Sequence, residues 1–275
     1  GGGRRQGRGA DVFRGVGDFH RTCGGLLGSE AQHAREHLVY CVAGLSSPSV
    51  VRRMSPCLDP MDPVRDPFSC AVALSMQGYV ANKPTADTDV FLDDLDLTGY
   101  ARPFFGPLEK YRGMRTVYAE RLALGDAGAS AFAEMVRNNN GAFDVILSDI
   151  RGLKKGHVDS IGQAVVKTFP ELGTFQVASH GEGYAGQLQF SQRGAASLAE
   201  LVTKPKIQEI ILHDVGITTR VCEAWEAMLR SKGPGPNLRV LRLFATTCSP
   251  EAAASLKATA QEKGVAQVSV EISED

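Results

Sequence analysis

The residues whose spacing could support catalysis lie in the first fifty positions of the chain. His33, Glu36 and His37 form an H-x-x-E-H string. Two histidines four residues apart share one face of a helix, where they could bind Zn²⁺ while the glutamate serves as a base. A helix is expected here, because Ser29 and Gln32 form a capping-box pattern just before the string.

This string resembles the metal-binding motif of the inverted zinc peptidases over five residues only. The glycine and aromatic positions that such enzymes place around the motif are missing, and so is the preceding strand pattern. A solvated helix face with charge-rich i, i+4 neighbours explains the same residues without a metal. We therefore keep a zinc metallopeptidase as the weaker alternative, and we predict no catalytic residue, no bound metal and no cofactor.

The cysteines and glycines indicate no other reactive site. The six cysteines stand at positions 23, 41, 57, 70, 222 and 248 and include no C-x-x-C pair, which argues against a disulfide framework and favours a reducing compartment. Cys222 and Cys248 lie near predicted helix starts, where a thiolate would be favoured, but burial as small packing residues explains them as well. The chain contains no Walker loop and no strand followed by G-x-G-x-x-G.

The overall composition offers no charge-driven partner. Hydrophobic residues make up 43% of the 275 positions and the formal net charge is −1, so we expect neither nucleic acid binding nor attraction to an anionic membrane. No apolar run approaches the roughly 18 residues of a membrane helix. We expect a soluble intracellular protein, in the cytoplasm or in an organelle, since Arg4, Arg5 and Arg8 without a nearby acid are compatible with the remnant of a mitochondrial presequence.

The sequence divides into three parts. Residues 1–28 are rich in glycine and arginine, and a flexible tail explains them better than an RNA-binding segment. Residues 29–88 contain the helix described above, a proline-rich arm and an apolar stretch that could cap a repeat array. Residues 89–275 carry a recurring pattern that we assign to one domain.

Each unit of this pattern has an apolar strand of the form L-x-x-L-x-L, a turn and an amphipathic helix. The units are separated by 22 to 35 residues, and several helix ends carry capping signals such as Ser249 followed by Pro250. The first apolar position of each unit falls at Leu92, Met114, Ala142, Leu172, Ile207, Leu238 and Val265.

This pattern resembles the ribonuclease-inhibitor type of leucine-rich repeat. The resemblance implies an α/β leucine-rich-repeat solenoid, an irregular horseshoe with a parallel inner sheet and outer helices, preceded by an N-terminal helical or extended arm. It also implies protein recognition instead of catalysis. The family usually places Asn or Cys at the ninth position of each repeat, where it bonds turn backbone. This chain has other residues there, so we expect its turns to find other backbone partners. The ninth positions are Tyr100, Leu122, Ile150, His180, Val215 and Thr246.

The shared register predicts parallel strands near 94–97, 116–119, 144–147, 174–177, 209–212, 240–243 and 267–270, with all helices on one side. Side chains between the apolar positions should then form an exposed inner face. Its first strands are acidic and its fifth and sixth carry apolar and aromatic residues, which favours a contact surface; coverage by the chain's own N-terminal arm is an equal alternative. The candidate partner-binding residues are Asp94, Asp96, Tyr118, Glu120, Asp144, Ile211, His213, Arg242 and Phe244.

These features together predict a non-enzymatic protein interaction module that serves as a scaffolding or peripheral subunit of a larger assembly. The alternative is a regulator of a GTPase or other enzyme that lays its acidic concave surface on a basic partner. In both cases the partners are proteins, and we expect no nucleic acid and no membrane insertion. We also predict that Trp225 is buried on the apolar face of its helix.

Overall fold

The computed structural model describes residues 88–97, 105, 108, 112–179 and 186–273. The predictions for residues 1–28 and 29–87, including the string His33, Glu36 and His37, lie outside these described residues.

The described chain is an α/β structure built on one parallel sheet. Seven strands lie side by side in the order of the sequence, and every neighbouring pair is parallel. This arrangement confirms the predicted parallel pairing. The strands are β1 (Thr88–Asp96), β2 (Met114–Ala123), β3 (Asp144–Arg151), β4 (Thr174–Ala178), β5 (Glu209–His213), β6 (Val240–Thr246) and β7 (Gln267–Ile272).

The helices pack against one face of this sheet. Helices that follow one another in the chain contact each other, so the described helices form a single layer. None of the described helices is long and apolar enough to cross a membrane. The helices are α1 (Gly125–Asn138), α2 (Lys155–Thr168), α3 (Gln192–Ser197), α4 (Thr219–Lys232) and α5 (Pro250–Glu262), with a 3-10 helix (Leu198–Thr203) directly after α3.

The core lies between the sheet and the helix layer. From β2 onward, the residue at the fourth position of each unit is apolar and buried. It pairs with the residue at the same position on the next strand, so these residues stack in one row. Each strand therefore completes its burial only when its neighbours are in place. The row consists of Val117, Val145, Phe175, Ile210, Leu241 and Val268.

Trp225 is the largest side chain of this core. It is 0% exposed, as the sequence predicted, and its Nε1 donates a hydrogen bond of 3.1 Å to the backbone oxygen of Ala195. A buried indole N–H needs such a partner. The bond therefore ties α4 to α3 in the neighbouring unit.

The first unit is displaced from its predicted register. β1 pairs Leu92 with Ala119 and Leu95 with Leu122, so Leu92 stands at the sixth position of its unit and not at the first. The shift moves Leu92 from the first to the sixth position of its unit and Leu95 from the fourth to the ninth. Asp96 consequently lies opposite Ala123.

The helical segment that contains Ala195, Leu198 and Val202 is not one continuous α-helix. α3 ends at Ser197, and the chain continues as the 3-10 helix. Leu198 and Leu201 are both fully buried. Their spacing of three residues places them on one face of a helix with three residues per turn, so the tighter winding suits this short segment.

Cys222 and Cys248 form a disulfide bond, with 6.6 Å between their Cα atoms. Both residues are buried, one in α4 and one just before α5. The expectation of two independent packing residues was therefore wrong. Their separation of 26 positions in the sequence corresponds to about one unit of the pattern, so stacking of neighbouring units brings together two cysteines that carry no local spacing signal.

The turns after the strands are stabilised by one another. Leu122, Ile150, Val215 and Thr246, at the ninth positions, are fully buried. The turn backbone bonds to the adjacent turn instead, as in the bond of 3.1 Å from the Leu124 nitrogen to the Arg151 oxygen. The expectation that the turns find other backbone partners is confirmed for these four; Tyr100 and His180 lie outside the described residues.

Candidate functional site

The sheet face opposite the helix layer is the candidate site, and we call it the open face. The strand register aligns its residues in three rows, two of which run across the sheet from β2 to β7 and one from β2 to β6. The third-position row contains Thr116, Asp144, Thr174, Glu209, Val240 and Gln267. The fifth-position row contains Tyr118, Ile146, Gln176, Ile211, Arg242 and Ser269. The seventh-position row contains Glu120, Ser148, Ala178, His213 and Phe244.

Most open-face residues are half-buried, but four are not exposed as predicted. Thr116, Ser148, Ala178 and Val240 are buried. Three of them carry short side chains that stand between longer neighbours in the same row. Ser148 and Ala178, for example, separate Glu120 from His213 in the seventh-position row. A partner would therefore reach mainly the larger residues on either side of them.

The acidic end of the open face is held by internal contacts. The hydroxyl of Thr116 donates to Asp144 Oδ2 at 3.4 Å. Glu120 accepts a hydrogen bond from the Tyr118 hydroxyl and forms an ion pair with Arg121. These contacts orient both carboxylates and partly neutralise the charge of Glu120.

Asp94 and Asp96 do not belong to the rows that contain Glu120 and Asp144. In β1 the residues aligned with Thr116, Tyr118 and Glu120 are Asp89, Phe91 and Asp93. The prediction for Asp94 and Asp96 was wrong in register, because the first unit is shifted by an odd number of residues.

Ile211, His213, Arg242 and Phe244 are brought together as predicted, and we call them the mixed patch. Ile211 pairs with Arg242 and His213 pairs with Phe244 across β5 and β6. The two ring centroids are 6.0 Å apart, with an angle of 50° between their planes. All four residues are half-buried.

Arg242 is held in place within the mixed patch. Its guanidinium donates to Gln267 Oε1 of β7 at 2.8 Å. A guanidinium carries five N–H donors, so this bond leaves others that could reach a carboxylate or backbone carbonyl of a partner. The mixed patch thus combines an oriented cation with apolar and aromatic surface.

Ile146 extends this surface, although it was not among the candidate partner-binding residues. Ile146 is half-buried and pairs with Tyr118 on one side and Gln176 on the other. Gln176 in turn pairs with Ile211. The alternation of Asp144, Ile146 and Ser148 in the sequence was the available signal, since an isoleucine at an outward position is unusual for a solvated strand.

A serine and a histidine meet on the helix layer without forming a nucleophile. His157 Nε2 lies 3.3 Å from Ser130 Oγ, and His157 Nδ1 accepts from the Lys154 backbone nitrogen at 3.2 Å. In the neutral ring the proton is therefore on Nε2, which donates to the serine and cannot take its proton. His157 caps the start of α2.

The described residues contain no group of three or more His, Cys, Asp or Glu side chains that could bind a metal ion. No protein-family model matches the chain, and no curated protein is similar enough to count as a relative.

Proposed function

We propose that the chain is a non-enzymatic interaction module of the leucine-rich-repeat type, which binds a protein partner on its open face as a scaffolding or peripheral subunit of an assembly. Two recurrences support the repeat assignment. The strands follow one another in sequence order, and the eighth position of four units has a left-handed backbone. These positions are Arg121, Asp149, Asp214 and Ala245.

The mixed patch is the observation that carries this proposal. Aromatic residues and arginine are enriched at the energetic centres of protein interfaces. Here Phe244 and Arg242 lie on adjacent strands beside Ile211, on the face that the helices leave uncovered. Their half-buried state means that a partner can bury further apolar area without first breaking the core.

Affinity capture with matched variants tests this role. The double variant Phe244→Ala with Arg242→Ala removes both proposed anchors, and Lys257→Ala removes one exposed charge from α5 on the helix layer. We expect the double variant to weaken partner association by about 2 kcal/mol or more while the control retains it. Retention of every partner by the double variant, with an unchanged circular dichroism spectrum, would show that the open face is not the binding surface.

A second candidate function has separate support in the acidic end of the face. Glu120 and Asp144 lie on adjacent strands, and the register places Asp89 and Asp93 beside β2. A regulator of a GTPase or other enzyme could use this end to orient a basic partner. Such association would weaken steeply with added salt, because exposed charges act mainly through steering. Association through the mixed patch would depend little on salt.

A further inference from the structure

The outer edge of β7 has backbone groups that the described sheet does not use. Among the described strands, β7 pairs with β6 alone and lies at one edge of the sheet. The nitrogens of Gln267 and Ser273 donate to Arg239 and Thr246 on the β6 side. Backbone groups alternate in direction along a strand. The intervening even-numbered residues therefore direct their N–H and C=O groups to the outer edge.

The apolar row of the core also ends at this edge. Val268 is 9% exposed, and Val270 is only partly buried. Ile272 is 40% exposed and is the exposed large hydrophobic residue of the described chain. An exposed strand edge with apolar side chains is a template for pairing with another strand.

The sequence of β7 is complementary to itself in the antiparallel direction. If two copies of QVSVEI pair about Ser269, Val268 stands opposite Val270 of the second copy. These are the residues whose backbone groups point outward, so they form a hydrogen-bonded pair. The same alignment places Gln267 opposite Glu271 of the second copy, and no two glutamates face each other.

The bond between Arg242 and Gln267 orients the Gln267 amide for a contact with Glu271 of the second copy. Arginine has no acceptor, so the amide oxygen of Gln267 must face Arg242. The amide nitrogen then remains available to donate to the carboxylate of Glu271 of the second copy. Glu271 is exposed, so the free side chain can adopt the geometry required.

We infer that β7 is a dimerisation edge, at which a second copy of this chain adds its own β7 antiparallel about a two-fold axis at Ser269. The two sheets then join edge to edge, and each contact occurs twice by symmetry. The open faces are not covered by this pairing. The dimer therefore presents two mixed patches, whereas the proposed function requires only one.

Sedimentation velocity of the full chain over a concentration series tests the inference. We expect a concentration-dependent dimer at about 100 µM, as befits a small interface. Val270→Pro removes only an outward N–H, a substitution that an edge strand tolerates, and should weaken dimerisation at least about tenfold because two backbone bonds are lost by symmetry.

A charge swap provides the matched control. Glu271→Lys places an ammonium group opposite the Gln267 amide and close to the Arg242 guanidinium that this amide binds, and should also weaken the dimer by about tenfold. Adding Gln267→Glu to that variant places a carboxylate opposite the ammonium group, so the double variant should regain the original dissociation constant within about twofold.

Two results would overturn the inference. One is a wild-type chain that stays monomeric at about 200 µM. The other is a dimer whose dissociation constant is unchanged in Glu271→Lys, because that dimer would use another surface. Both residues of the swap are exposed, so these variants decide the question even if Val270→Pro fails to fold.

Discussion

Arg121, Asp149, Asp214 and Ala245 share a left-handed backbone at the residue after the seventh position of their units, with φ between 47° and 53°. None of them is glycine, although this conformation strains a residue with a Cβ atom. The turn must nevertheless adopt it to direct the ninth residue into the core, where Ile150 and its counterparts are fully buried. The strain is thus a local cost of the repeated turn.

Ala245→Gly should relieve part of this strain. The left-handed conformation costs a non-glycine residue about 1 to 2 kcal/mol, which glycine avoids. Glycine also makes the unfolded chain more flexible, which lowers the free energy of unfolding by about 0.4 to 1 kcal/mol. We expect the free energy of unfolding to rise by about 0.5 to 1 kcal/mol, measured by urea denaturation. Ala258→Gly on the exposed side of α5 is the control and should lower it by about 1 kcal/mol. If the free energy of unfolding fell equally in both variants, Ala245 would not be strained.

Glu226 joins α4 to α5 through its carboxylate. Glu226 Oε1 accepts from Ser255 Oγ at 2.8 Å and from Thr259 Oγ1 at 3.4 Å, and Arg230 Nε donates to it at 2.7 Å. Burial alone would raise the pKa of Glu226, but these hydrogen bonds and the charge of Arg230 outweigh burial and hold the pKa below its ordinary value. The folded chain therefore favours the charged form of Glu226 more than the unfolded chain does.

A pH series on Glu226→Gln tests this contact. Since the folded pKa is depressed, the stabilisation is present above the unfolded pKa and is lost as the pH falls through the folded pKa. Glu226→Gln should be less stable than the wild type at neutral pH, and the difference should shrink below about pH 4. Glu223→Gln, exposed on the same helix, should change little. A difference that persists at low pH would mean that the charge is not responsible.

At the scale of elements, each helix is stabilised mainly by the units on either side of it. Trp225 of α4 donates to the neighbouring helix, Glu226 accepts from the next one, and the bond between Cys222 and Cys248 joins α4 to the start of α5. No single unit contains a complete core. Damage to α4 is therefore expected to reach both neighbours.

Trp225→Ala should lower the free energy of unfolding by about 3 to 5 kcal/mol, since it removes a fully buried indole and leaves a cavity. Trp225→Phe keeps most of the apolar volume but leaves the Ala195 oxygen without its donor, and should cost about 1 to 3 kcal/mol. Thermal and urea denaturation of both variants provide the measurement. A midpoint unchanged in Trp225→Ala would contradict the burial of this side chain.

At the scale of the whole molecule, the parallel sheet could be predicted from the sequence because the apolar positions of six units share one register. The register of the first unit could not be predicted, since Leu92, Leu95 and Leu97 match L-x-x-L-x-L, and only the strand pairing shows that Leu92 occupies the sixth position and Leu95 the ninth. The disulfide bond was missed for a related reason. This bond forms because two units stack on each other, and the spacing of cysteines in the sequence does not indicate that contact.

The open face was predicted in part. The alternation of side chains along each strand identified the mixed patch correctly, because the fifth and sixth units have the register that the repeat pattern predicts. It could not show that Ser148 and Ala178 are buried, since exposure depends on the size of the neighbours in each row. It also could not show that Glu120 is already paired with Arg121.

Site-specific photo-crosslinking tests most directly whether the open face binds protein. A photoreactive phenylalanine derivative replaces Ile211 in the mixed patch in one variant and the exposed Lys257 of α5 in another. After irradiation in the native complex, we expect the crosslinked partner to be at least about tenfold more abundant from position 211 than from position 257, because the interface is localised. A partner captured from position 257 and absent from position 211 would contradict the account and assign binding to the helix layer.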